Sequence, residues 1–152
     1  MGKKKIAKES TEDVLKAGAA IESAVAQSGS KGVKGKKKFD KGRIYIKSSY
    51  NNTLLTVTDE KGHVIAWSSA GSLGFNGPKK ATPFAASKVV SALAEKLKKT
   101  GPFDVQVFVS GIGGGRDSSI RSLMNQGFNL SSIKDITPIP HNGPRPRKVR
   151  RV

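Results

Sequence analysis

Residues 42–71, GRIYIKSSYNNTLLTVTDEKGHVIAWSSAG, decide the fold. In GRIYIKSSY the residues alternate, placing Ile44 and Ile46 on one side and Arg43, Tyr45 and Lys47 on the other. That is the two-residue period of a strand with one buried face. Asn51-Asn52 supplies a tight turn into TLLTVTD. Asp59–Gly62 supplies another, leading into HVIAWSSAG. Three strands joined by short turns predict an antiparallel meander over residues 43–70.

Downstream the period lengthens. GSLGFNGPKKATPF is a glycine-punctuated loop ending at a helix start, where Thr82 can cap and Pro83 sits at a position whose missing N–H costs nothing. The helix should run to about Lys99, with Ala86, Val89, Val90, Leu93 and Leu97 as its buried stripe and Lys88, Lys96 and Lys99 off it. Gly101 and Pro102 stop it. FDVQVFVS alternates strictly and reads as a buried strand. GIGGGRDS is a second glycine-rich loop opening the helix SIRSLMNQ, which Gly127 ends, and LSSIKDITP is the last strand. The order βββαβαβ predicts an α/β domain over residues 43–137, with a mixed sheet packed against helices.

Two basic extensions flank this domain. Residues 1–42 form a low-complexity segment in which KGVKGKKKFDKG is a lysine–glycine linker. Before it, STEDVLKAGAAIESAVAQ has a capping-box pair in Ser10 and Asp13, and Val14, Gly18, Ile21 and Val25 on one helical face. The stripe is narrow and alanine-rich, so docking on a partner and fraying alone both remain open. At the other end, residues 138–152 form an extended tail. Pro138, Pro140, Pro144 and Pro146 forbid regular structure, while Arg145, Arg147, Lys148, Arg150 and Arg151 repel one another with no acid nearby. Alone in water such a segment buries nothing, so it makes sense against an anion.

The whole chain agrees with that demand. Its 152 residues suit one compact domain, and its net charge is +17. That imbalance exceeds what solubility requires and points to a polyanion, with nucleic acid favoured over membrane because no segment pairs a basic face with large apolar residues. There are no cysteines, hence no disulfide framework or thiolate metal site, and no apolar run of bilayer-spanning length. The start MGKKKIAKESTEDV lacks a signal-peptide core, and its acids argue against a transit peptide. A soluble cytoplasmic protein is the expectation.

The glycine loops are the candidate sites. In GIGGGRDSSIR, Gly111 and Gly113 fit a dinucleotide fingerprint, but Arg116 occupies the third glycine position, and no Walker ending follows. Gly113, Gly114 and Gly115 could still let backbone N–H groups approach a phosphate at a helix N-terminus, with Arg116 adding a bidentate fork. The alternative is a merely tight strand-to-helix turn. Lys79 and Lys80 stand just before the other helix. Phe75 either stacks on a base or plugs the loop into the core, and Trp67 is expected in the core. No catalytic constellation emerges. Asp59, Asp104, Asp117 and Asp135 are scattered, His63 and His141 lack ligand-spaced companions, and no nucleophile elbow is present, so neither metal nor cofactor is expected.

Four stretches together, SSYNNTLLTVTD, SAGSLGFNGPKKATPFAA, GGGRDSSIRSL and DITPIPHNGPRPRKVRR, closely resemble the bacterial form of small-subunit ribosomal protein eleven, the universal platform family. The resemblance covers about residues 43–152. It implies a ribonuclease-H-like layout without the catalytic acids, and a non-catalytic role bridging ribosomal RNA helices on the small-subunit platform. It further implies proximity to the messenger RNA exit and the Shine–Dalgarno cleft, small-subunit proteins seven and eighteen as neighbours, and initiation factor three binding nearby. Carried over by position, the RNA contacts would be Asn51, Asn52, Lys79, Lys80, Arg116, Arg121 and, in the tail, His141, Asn142, Arg145, Arg147, Lys148, Arg150 and Arg151. The chain departs from the family pattern at Ile112 and Gly114, where prolines are common, at Pro144, where cysteine is usual, and in its long N-terminal extension. The rival class is a nucleic-acid-processing enzyme on the same scaffold, which would need converging carboxylates. Asn142 before Gly143 is also a candidate for isoaspartate formation, because glycine leaves its backbone nitrogen unhindered for attack on the Asn amide.

Overall fold

The computed structural model describes residues 11–30, 39–98, 101, 104–145, 147 and 148. Its elements are α1 (Thr11–Ser30), β1 (Lys41–Ser48), β2 (Thr53–Thr58), β3 (Val64–Ser69), α2 (Pro83–Leu97), β4 (Asp104–Ser110), α3 (Gly115–Asn125) and β5 (Asn129–Asp135). The strands form one mixed sheet in the order β3-β2-β1-β4-β5. The meander pairs antiparallel, with Ile46 opposite Leu55 and Thr56 opposite Trp67. Beyond it β4 and β5 run parallel to β1, with Ile44 opposite Val107 and Val107 opposite Ile133. This is the expected α/β architecture. The last strand ends at Asp135, shorter than LSSIKDITP predicted, and the loop before α2 holds two 3-10 turns, Gly71–Leu73 and Gly77–Ala81.

Strand alternation makes one face of the sheet apolar. Ile44, Leu55, Val57, Val105 and Val107 on that face are fully buried. The stripe of α2 anticipated from the sequence covers them, with Ala86, Val89, Val90, Leu93 and Leu97 all buried, and Leu123 of α3 completes the core. Burying a Val or Leu side chain contributes roughly 1.5–3 kcal/mol, so this single layer dominates stability. The Thr82 hydroxyl caps α2 by accepting from Ala85 N at 3.2 Å and donates to the Lys79 carbonyl at 2.8 Å. Gly127, at φ +84°, closes α3, with its N–H and that of Phe128 donating to Met124 and Leu123 carbonyls.

Two expectations change. The N-terminal helix docks within its own chain, with half-buried Ile21 and Val25 packing against the core beside α2. Glu22 and Lys88 meet there at 4.0 Å, an exposed pair that adds little. The proposed capping box and Val14 lie outside the described residues or side chains. Trp67, expected in the core, is 55% exposed. Its strand presents the small Ala66 and Ser68 to α2, which leaves Trp67 on the sheet's other face, where no described helix packs.

Candidate nucleic-acid interface

Strands β1, β3, β4 and β5 point the same way, so their C-terminal ends lie along one edge of the sheet. Backbone irregularity and helix N-termini gather at such an edge, which is where open α/β sheets place ligands. Four segments leave or turn there: the β1–β2 turn, the loop into α2, the β4–α3 loop and the tail. Asn51, Asn52, Lys79, Lys80 and Arg116 are thereby brought to one end of the molecule.

The β1–β2 turn is internally bonded. Ser49 N donates to the Asn52 carbonyl at 2.9 Å, Asn52 N donates to Ser49 Oγ at 3.0 Å, and Thr53 N donates to Asn52 Oδ1 at 3.0 Å. Asn52 therefore spends its side-chain carbonyl on shaping the turn, while Asn51 and Tyr50 project into solvent.

The glycines of the β4–α3 loop have a packing reason. A Cβ on Gly111 would fall 2.1 Å from the Ser48 carbonyl oxygen, and one on Gly113 would fall 2.5 Å from Ser49 O. On Gly115 it would fall 2.3 Å from Thr53 Oγ1. The loop lies directly against the β1–β2 turn, and only glycine permits that approach. The tight-turn reading thus accounts for these three positions without a ligand.

Arg116 is largely committed to the same scaffold. Its guanidinium donates to the Gly111 carbonyl at 3.0 Å, to Thr137 Oγ1 at 3.4 Å and to Asp135 Oδ2 at 2.6 Å. Thr137 Oγ1 also accepts from Gly111 N at 3.1 Å and donates to Asp135 Oδ1 at 2.6 Å. The bond from Thr137, followed by the Arg116 guanidinium, holds the Asp135 carboxyl at about 2, below its ordinary 3.8. This network ties the glycine loop to the point where the tail departs. Arg116 fixes the exit direction of the tail.

Around this clamp the surface is basic and carries exposed aromatics. Lys79 is exposed and Lys80 half-buried on the 3-10 turn before α2. Phe75 is the plug of its two readings, only 6% exposed, with its ring edge-on to Phe84 at 6.1 Å. Phe84 is itself exposed, with Lys88 Nζ 5.6 Å above its ring. A hollow lined by Tyr50, Ile112, Gly113, Arg116 and Asp117 opens at the β4–α3 loop. Neither Tyr50 nor Phe84 is among the residues expected from the sequence. The available signals were an aromatic among polar turn residues in SSYNN and a Phe outside the α2 stripe.

Not every candidate joins the cluster. Arg121 is exposed on α3 more than a turn beyond the loop. His141, Asn142, Arg145, Arg147 and Lys148 are exposed along the tail, and Asn142 takes φ +52°, a conformation Asn tolerates. Arg150 and Arg151 lie outside the described residues. Among the described residues no three His, Cys, Asp or Glu side chains converge, and no helix is long and apolar enough to cross a membrane. At the opposite end of the sheet, His63 Nδ1 meets Asp59 Oδ2 at 3.0 Å and closes the β2–β3 turn.

Comparison with known proteins supplies a family. The sequence model of the family described as ribosomal protein S11 matches residues 42–151. Proteins named small ribosomal subunit protein uS11 from two strains of Treponema pallidum are each 53% identical over 119 residues, spanning 78% of this chain and 94% of theirs. A protein of the same name from Sulfurovum sp. (strain NBC37-1) is 50% identical over 120 residues, spanning 78% of this chain and 97% of its own.

Proposed function

The chain belongs to the ribosomal protein S11 family, and from that premise we propose that it bridges ribosomal RNA helices on the platform of the small subunit. Membership makes it a non-enzymatic structural constituent of the small ribosomal subunit, an RNA-binding protein of the cytoplasmic ribosome. In our reading residues 43–137 are the RNA-binding domain, with residues 1–42 and 138–152 as basic extensions. Contacts are made by Asn51, Asn52, Lys79, Lys80, Arg121 and the tail from His141, near the messenger RNA exit and the Shine–Dalgarno cleft. Small-subunit proteins seven and eighteen are its neighbours, and initiation factor three binds nearby. Arg116 acts mainly by holding the loop and the tail root in register.

The observation that carries this reading is the single sheet end from which the lysine-bearing turn, the β1–β2 turn and the tail all emerge. Residues 138–152 carry five cations and no acids. Such a tail neutralises phosphate where RNA strands converge, and its prolines reduce the entropy lost on ordering.

Removing residues 144–152 deletes those five cations and tests the reading. Against a platform RNA fragment, each phosphate that the shortened chain no longer neutralises should flatten the log–log salt dependence by about 0.7–0.9. An unchanged slope would remove the tail from the interface. Sedimentation of the native protein should show stoichiometric comigration with small subunits.

A further inference from the structure

The face of the sheet on which no described helix packs carries an aromatic row that the proposed platform role leaves unused. Strand register sets Trp67, Thr56, Tyr45, Phe108 and Lys134 side by side across all five strands. Tyr45 and Phe108 stack on each other with ring centroids 5.1 Å apart and planes 17° from parallel. Both are half-buried and Trp67 is exposed. Rings stacked along the sheet turn their outer faces toward the next strands. On the β2 side the next residue is the small Thr56, and beyond it stands Trp67.

Dimensions admit a flat guest in the notch over Thr56. Tyr45 and Trp67 stand two strand spacings apart, about 9–10 Å between backbones. Seating one base between two rings takes two stacking steps of about 3.4 Å each, about 7 Å in all, so the exposed indole closes on the base by leaning inward by roughly 2–3 Å. Cations surround the row: Arg43, Lys47 and Lys134 share this face, and Lys41 stands at its corner opposite Asp104, which accepts from Asn129 at 2.7 Å. The other residues of this face are Thr56, Thr58, Ser69, Gln106, Ser110 and Ser132, with Leu54 and Val64 the aliphatic exceptions. The face is aromatic, hydroxylated and positive, the chemistry that stacks and neutralises unpaired nucleotides.

We propose that this open sheet face is a second RNA-binding surface, taking a single-stranded stretch of small-subunit ribosomal RNA with one base over Thr56 between Tyr45 and Trp67. It rests on the RNA-binding role proposed for the chain. Lys47, Arg43 and Lys134 face the flanking phosphates.

Trp67 is the only tryptophan in the chain, so its fluorescence reports on this face alone. The full-length protein is titrated with octauridylate and, separately, with inorganic polyphosphate of equal charge. Octauridylate should quench Trp67 and lower its acrylamide accessibility several-fold, whereas polyphosphate, which has no bases, should bind and leave it open. Thr56→Ile keeps a strand-favouring β-branched residue and fills the notch. It should weaken octauridylate binding roughly five- to hundredfold, the equivalent of one base unstacked, with an unchanged melting curve. If octauridylate binds while Trp67 stays open, or Thr56→Ile binds normally, the second surface is wrong and the tail-centred reading stands. If octauridylate fails to bind even at low salt while a platform RNA fragment still binds, the second surface is wrong and the tail-centred reading stands; if neither binds, both fail. Ultraviolet cross-linking of native small subunits should give RNA adducts on Tyr45, Trp67 or Phe108. Adducts to protein alone at these residues would replace RNA with a protein partner.

Discussion

Replacing Gly111 with alanine isolates the contact that builds the sheet end. Gly111 has φ +89°, and a Cβ there would lie 2.1 Å from the Ser48 carbonyl oxygen. Two penalties therefore combine. Holding a side-chain-bearing residue in the left-handed region costs about 1–2 kcal/mol. Reopening the gap moves the end of β1 or the loop by on the order of 1 Å, an overpacking cost of about 1–3 kcal/mol. The sum, about 2–5 kcal/mol, is a large share of a typical 5–15 kcal/mol stability. At about 2–4 °C per kcal/mol for a chain of this size, the melting temperature should fall by roughly 5–20 °C. Thermal unfolding followed by far-ultraviolet circular dichroism measures it. Two controls separate the causes. Gly62 has φ +92° with nothing within 4 Å of a built Cβ, so Gly62→Ala should show the backbone penalty alone. Gly113 has no such φ but would meet Ser48 Oγ and Ser49 O at 2.5 Å, so Gly113→Ala should show the contact penalty alone. A Gly111→Ala protein melting with Gly62→Ala would refute the close approach of the loop to β1, and with it the packing account of the glycines.

Thr82→Ala should destabilise the protein by about 1 kcal/mol through loss of the α2 cap, while Thr82→Ser should recover most of it, as read from urea midpoints. Arg116→Ala should cost about 1–3 kcal/mol and weaken RNA binding by loosening the tail root. Arg116→Lys should not restore either, because the guanidinium reaches Gly111 and Thr137 from one nitrogen and Asp135 from another, a fork that a single ammonium nitrogen does not reproduce. The Asp135 carboxyl is depressed to about 2 in the folded chain, so its contribution is present above 3.8 and is lost as pH falls from there through about 2. Asp135→Asn should flatten the loss of stability between those values, and an identical acid limb would show the network to be inert. At Asn142, peptide mapping of protein from assembled subunits should find isoaspartate, with a mass gain of about one dalton and isoaspartyl-methyltransferase labelling. An unmodified Asn142 would end that idea.

Local chemistry wrote much of this protein directly into its sequence. The alternation of Ile44 and Ile46, the Thr82-Pro83 helix start, the α2 stripe and the Gly127 stop each depend on residues within a turn or two of one another. The chain's neighbours in sequence suffice to set them. The tail's prolines and cations likewise announced an anionic partner without any fold. Other features depended on strand register and on residues distant in sequence. Arg116 looked like a phosphate fork because its partner Asp135 lies 19 residues on and meets it only when β5 pairs with β4. The glycine loop looked like a cradle because its reason, the Ser48 carbonyl, belongs to β1. Trp67 looked like core because hydrophobicity does not say which side of a strand a helix will cover. Close packing of α2 on β3 left room there only for Ala66 and Ser68, and a period of two then put the indole on the open face.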